Sequence, residues 1–170
     1  MNTSQTLPEL IAAAQVKAKI SEDCILEIRD LLEKQTASEA QVEEFRVAHV
    51  ALELAAVDTF TLFEARMQHH FRRGPFSRKL RAALLDAGHS DLADRIHKYY
   101  LAINVLKHGK GASYRELCNT PTELFHVRRT ETVMSQDEDA PSSFIDIGVR
   151  GFFDGLAATL LEAQKFLEDQ

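Results

Sequence analysis

Tryptophan is absent from this chain of 170 residues, and cysteine, proline and glycine are scarce, with two, four and seven copies. Cysteines as far apart as Cys24 and Cys118 make neither a disulfide framework nor a paired metal motif. They read as reduced thiols, with Cys24 a small hydrophobe in an apolar helical stretch. No apolar run approaches the roughly 20 residues that span a bilayer, which excludes a membrane protein. Residues 1–6 carry no basic start and no long apolar block, so no secretory signal is expected and the chain is read as cytoplasmic. With 45% hydrophobic residues the chain can bury a core, which excludes global disorder. The length fits one domain over 1–170.

What is abundant is Ala, Leu and Glu, which favours helix. Thr6, Pro8 and Glu9 form a helix start, and Ile11, Ala14, Ala18, Ile25, Ile28 and Leu32 recur at helical steps. The spacing predicts one helix over about 7–34, or two if Ser21-Glu22-Asp23 is a cap. Ser38-Glu39-Ala40-Gln41 is a capping box for a long central helix to about Phe71, free of Gly and Pro. Phe45, Ala48, Leu52, Ala56, Phe60, Phe63 and Met67 form its apolar stripe. Val50, Leu54, Val57 and Leu62 widen it, so burial on more than one side is expected. A short helix follows from Ser77 to Gly88, then one from Ser90 to Gly109, then a turn or two after a capping box Ser113–Glu116. Leu124–Arg129 and Phe144–Ile147 read as two short strands around an acidic, mobile loop at about 134–142. A last helix spans about Gly148 to Glu168. The expected fold is all-α, an antiparallel bundle of five to seven helices with a short β-hairpin between about residues 124 and 147.

Charge is unevenly spread. Residues 66–115 hold eleven Lys or Arg against Asp86, Asp91 and Asp94, a net +8, while the rest of the chain carries −14. Five of the seven histidines also fall there. Such a cluster suits a polyanion partner, or else complements acidic helices of the same bundle or of a second copy.

Within it, Asn104 and His108 are four apart and share a helix face near its C-terminal end. Gly109 and Gly111 free the backbone to turn, and Ser113 opens a new helix whose N–H groups suit an anion. Lys107, His108, Lys110 and that helix start could thus converge on one phosphate. Asn104, three residues, then His108-Gly109 at the end of a bundle helix resembles the signature of HEPN domains (higher eukaryote and prokaryote nucleotide-binding). The resemblance implies a helical bundle, often a homodimer. In the family's ribonucleases it implies metal-independent RNA cleavage, with the histidine as general acid or base and an arginine stabilising the phosphorane. Asn104 and His108 match the motif. The arginine position is Ile103, so the motif arginine is missing and efficient catalysis is not expected. If chemistry occurs, His108 is the acid or base, Asn104 its orienter, and Lys107 and Lys110 the charge stabilisers.

Two further constellations are weighed. His69-His70-Phe71-Arg72-Arg73-Gly74-Pro75-Phe76 mixes aromatic and basic residues as single-stranded nucleic-acid sites do. Alternatively Phe71 and Phe76 pack under the turn while Arg72 and Arg73 stay wet. Tyr99 and Tyr100 read as core and rim. His49, Glu53 and Glu64 share a face of the central helix, and with His97 would make a carboxylate–histidine metal set. That helix has no Glu-x-x-His pair, so a solvated stripe is the reading, with no metal and no cofactor expected. Asp58 falls on the apolar side and is expected to be a buried acid paired with Arg95. The function expected is binding of RNA, nucleotide or another phosphate-bearing ligand around His108, by a homodimeric bundle; the alternative is a helical protein–protein interaction module with no nucleic-acid role.

Overall fold

The computed structural model of the chain describes residues 4–129 and 144–170. Six α-helices dominate: α1 Leu7–Glu33, α2 Glu39–Met67, α3 Phe76–Asp86, α4 Ser90–His108, α5 Ala112–Asn119 and α6 Phe152–Glu168. A 3-10 turn, Gln68–His70, extends α2. Strands β1 His126–Val127 and β2 Ile145–Asp146 pair antiparallel, with His126 opposite Asp146 and Val127 opposite Ile145. This is the all-α bundle that the helical spacing predicts, with the strand pair in its expected place but shorter. The expected acidic loop at 134–142 lies outside the described residues.

The helix starts explain themselves locally. Thr6 Oγ1 accepts from the Glu9 N–H, and the Glu9 carboxylate accepts from the Thr6 N–H at 2.7 Å. Ser38 and Gln41 exchange the same pair of bonds at the head of α2. α1 is one helix, since Ser21-Glu22-Asp23 sits inside it and caps nothing there. Glu22 is instead buried, and its Oε1 accepts the Phe153 N–H at 3.0 Å. It thus supplies from α1 the cap that Gly151 cannot give α6.

α1 and α2 form an antiparallel hairpin; α4 and α6 pack on it, with α3 and α5 against α4. Buried side chains from all six helices and β2 join in one core, centred on Leu52, Phe60, Phe63, Tyr99, Ile103, Phe152 and Phe153.

Several expectations need correction. α2's fully buried side chains form one stripe; of the residues expected to widen it, Val57 and Leu62 pack half-buried on the core, while Val50 and Leu54 stand 43% and 57% exposed. Ser113–Glu116 is not a capping box. α5 starts two residues earlier, with Gly111 in the cap position, since the Ser113 hydroxyl is engaged by Asn104 and Glu116 by His97. α6 starts at Phe152, not Gly148, because the Gly148 N–H donates to Asp146 Oδ1 and Gly151 turns with φ +79°. Among the described residues no helix is long and apolar enough to cross a membrane.

Candidate functional site

α4 ends at His108 because Gly109, at φ +69°, turns the chain away while its N–H still bonds the Val105 carbonyl. Two residues later α5 begins and runs back along α4. The Asn104 side chain donates to Ser113 Oγ at 3.2 Å and staples the two helices. His108, Lys107 and Lys110 are exposed around this corner, and no side-chain hydrogen bond or ion pair engages any of them among the described residues. Asn104 is therefore directed at Ser113 and not at His108. Ile103 is buried at 2% exposure and belongs to the core. The position where the resembled motif has arginine thus points away from solvent, and Lys107 is the first α4 cation beyond it to reach water.

The basic third of the sequence stays largely unneutralised. Of its eleven Lys and Arg, only two make ion pairs among the described residues. Arg95 pairs with Asp91 and Glu162 and also donates to Thr159, and Lys98 pairs with Asp94. Arg66 donates to the Gln5 carbonyl. Arg72, Arg73, Arg78, Lys79, Arg81, Lys107, Lys110 and Arg115 remain exposed and unpaired. Phe71 and Phe76 pack edge to face at 5.6 Å, with Phe76 buried against Phe63, so Arg72 and Arg73 stay wet above a packed turn. Arg95 binds α6 and its own helix, not Asp58, which is exposed on the far side of α2.

Between α3 and α4 lies a cleft of about 270 Å³, lined by Pro75, Ser77, Arg78, Arg81, His97 and Tyr100. His97 Nε2 meets Glu116 Oε1 at 2.6 Å, and Ser77 Oγ donates to Glu64 Oε1 at 3.1 Å. The imagined metal set is thereby dispersed, since Glu64 is held by Ser77, His97 by Glu116 and His49 by Asp146. Among the described residues no group of three His, Cys, Asp or Glu could hold a metal ion.

A second polar cluster was not foreseen. Asp146 on β2 is 11% exposed and receives Arg29 Nη2 at 3.1 Å, Arg128 Nη2 at 3.2 Å and the Gly148 N–H at 2.8 Å. His49 Nε2 stands 3.5 Å away, and its Nδ1 lies 3.1 Å from the Phe45 carbonyl oxygen. Arg29 also donates to the Gly148 carbonyl at 2.9 Å. Burial works to raise the Asp146 carboxyl; the His49 hydrogen bond, the Gly148 N–H and the two guanidinium groups overcome it and hold the group below the usual carboxylate range. Beside it, burial pushes the Glu53 carboxyl up. The cluster binds α1 and α2 to the strand pair. Its only signal in the sequence is that Arg29 follows the buried Ile25 by four and so shares its face.

On the opposite side of the α1–α2 hairpin two apolar grooves of about 520 and 550 Å³ meet at Ser21 and Ala51. Ile20, Val47 and Leu54 line them and stand more than half exposed. Cys24 lines this groove half-buried rather than lying in the core, and burial raises its thiol, which removes nucleophilic character. Compared with family models, with curated proteins and with solved structures, the chain matches none.

Proposed function

We propose that this chain is a HEPN-like helical bundle that binds RNA, nucleotide or another phosphate-bearing ligand through its exposed cations, Arg72 and Arg73 ahead of α3 and Lys107, His108 and Lys110 around the end of α4, without efficient catalysis. The observation that carries this reading is the unneutralised charge. A basic segment that only complemented its own bundle would be consumed in ion pairs, whereas nine of its eleven cations have none among the described residues. Exposed cations held on rigid helices are what a polyphosphate chain requires, because each neutralised phosphate releases counterions. Two features argue against cleavage. Ile103, at the position where the resembled motif has arginine, lies in the core and supplies no guanidinium, and Asn104 bonds Ser113 instead of orienting the imidazole.

The test is binding and cleavage of single-stranded RNA by the purified chain in EDTA across a salt series. Wild-type protein should bind with a steep salt dependence and leave the strand intact. Lys107→Ala with Lys110→Ala should flatten the slope of log affinity against log salt by about 1.4, since each lost contact to a single strand is worth about 0.7. Binding that ignores salt would overturn the reading. Cleavage lost in His108→Ala would replace it with a metal-independent ribonuclease.

A second reading, a helical interaction module, is favoured by the exposed apolar groove on α1 and α2. Contiguous exposed apolar surface marks association, and a second copy related by a two-fold axis is its simplest occupant.

A further inference from the structure

We propose that the cleft between α3 and α4 is a pocket for a phosphate monoester, the terminal phosphate of a nucleotide unit, gripped by Arg78 and Arg81 beside the ring of Tyr100. The two arginines are three apart on α3 and so lie on one face, and both line the cleft. Neither is paired with a carboxylate among the described residues. Two acids bond residues of the lining: Glu116 meets the His97 imidazole, and Glu64 accepts the Ser77 hydroxyl. Neither carboxylate bonds an arginine, so both guanidinium groups stay open to the cleft. On the opposing wall Tyr100 is half-buried, braced against Phe60 at 6.4 Å and stacked within 25° of His97 at 6.3 Å. It gives the cleft a braced aromatic wall.

The size and the charge select the ligand. At about 270 Å³ the space lies just below the range of about 300–1,000 Å³ for drug-sized ligands, so it takes one phosphorylated unit and not a run of chain. Two guanidinium groups balance the two charges of a monoester better than the single charge of a backbone diester, and each can bond phosphate oxygens in bidentate fashion. Such a group comes from the 5′ end of a strand or from a free mononucleotide. The strand as source rests on the RNA reading above; the free nucleotide does not.

The experiment titrates the full chain with a short RNA carrying a 5′-phosphate, with the same RNA carrying a 5′-hydroxyl, and with AMP as competitor. It is repeated in Arg78→Ala/Arg81→Ala and in Lys107→Ala/Lys110→Ala, all four side chains being exposed, with circular dichroism to check folding. The expected result is about tenfold tighter binding of the 5′-phosphate strand and displacement of it by AMP. The Arg78→Ala/Arg81→Ala variant should lose that preference, while Lys107→Ala/Lys110→Ala should weaken both strands equally and keep it. Equal binding of the two strands with no AMP competition overturns the pocket and leaves the RNA reading standing. AMP binding that is lost in the arginine variant, with neither strand bound, supports the pocket and overturns the RNA reading. AMP affinity unchanged in the arginine variant overturns the pocket, and no binding of any probe overturns both.

Discussion

Asp146 keeps its charge in a place where burial opposes it. One backbone N–H, two guanidinium groups and an imidazole surround the carboxylate, and they come from β2, α1, β1's end and α2. A carboxyl whose folded-state pKa is depressed contributes stability that is complete above its unfolded value near 4 and fades as pH falls through the folded value. Glu53, raised by burial, has the opposite sign: folding is penalised as pH rises from its unfolded value through its folded one. Asp146→Asn should therefore lower stability at neutral pH by about 1–2 kcal/mol, because the buried carboxylate loses its charge-assisted bonds while its guanidinium partners, 29% and 48% exposed, can still reach water. It should also make the melting temperature less sensitive to acid below about pH 4. Thermal unfolding of both proteins across pH checks this, and an unchanged acid limb would refute the assigned role. Gly148 is part of the same arrangement, since a Cβ there would stand 2.8 Å from His49 Nε2 and 3.1 Å from Arg29 Nη2.

At the scale of elements, α6 is held by features other than its own propensity. Glu22 caps its first turn from α1, Gln15 reaches Asp154 at 3.0 Å, and Arg95 from α4 grips Thr159 and Glu162. Gly155 sits inside the helix, where alanine would ordinarily gain up to about 1 kcal/mol. Here an added Cβ would lie 2.5 Å from the hydroxyl of Tyr99, a buried and stiff ring packed at 5.7 Å on Phe152. Overpacking costs about 1–3 kcal/mol and outweighs the propensity gain. Gly155→Ala should accordingly lower the denaturation midpoint with an unchanged m-value, and a stabilised variant would show that α6 has room to shift from α4.

On the scale of the whole molecule, the two faces differ in kind. Net charge is −6, yet one third of the chain carries +8 that is mostly unpaired, on and around α3 and the end of α4. Apolar surface is exposed elsewhere, on the outer side of the α1–α2 hairpin. This separation lets a polyanion and a second copy bind without competing for the same residues. If a second copy covers the hairpin, Ile20→Glu should convert a dimer to a monomer in sedimentation without unfolding it, since Ile20 is 69% exposed and contributes little to the core. A monomeric wild type would remove that reading and leave the basic surface untouched.

The local pattern by itself determined the helices. Two capping boxes and the stop at Gly109 act within a turn, and the Gly- and Pro-free run of α2 sets its helix all along its own length. The charge asymmetry was legible for the same reason, because it needs only composition along the chain. Tertiary structure decided which of those charges are consumed and which stay open. It paired Arg95 with Glu162 rather than Asp58, turned Asn104 toward Ser113 and put Ile103 in the core. It also brought Arg29 and His49 to Asp146, Glu22 to the head of α6, and Arg78 and Arg81 to a common cleft with Tyr100. Such pairings join positions far apart in the chain. A helical period fixes the face on which a residue lies, but which face of another element meets it is set only when the helices pack.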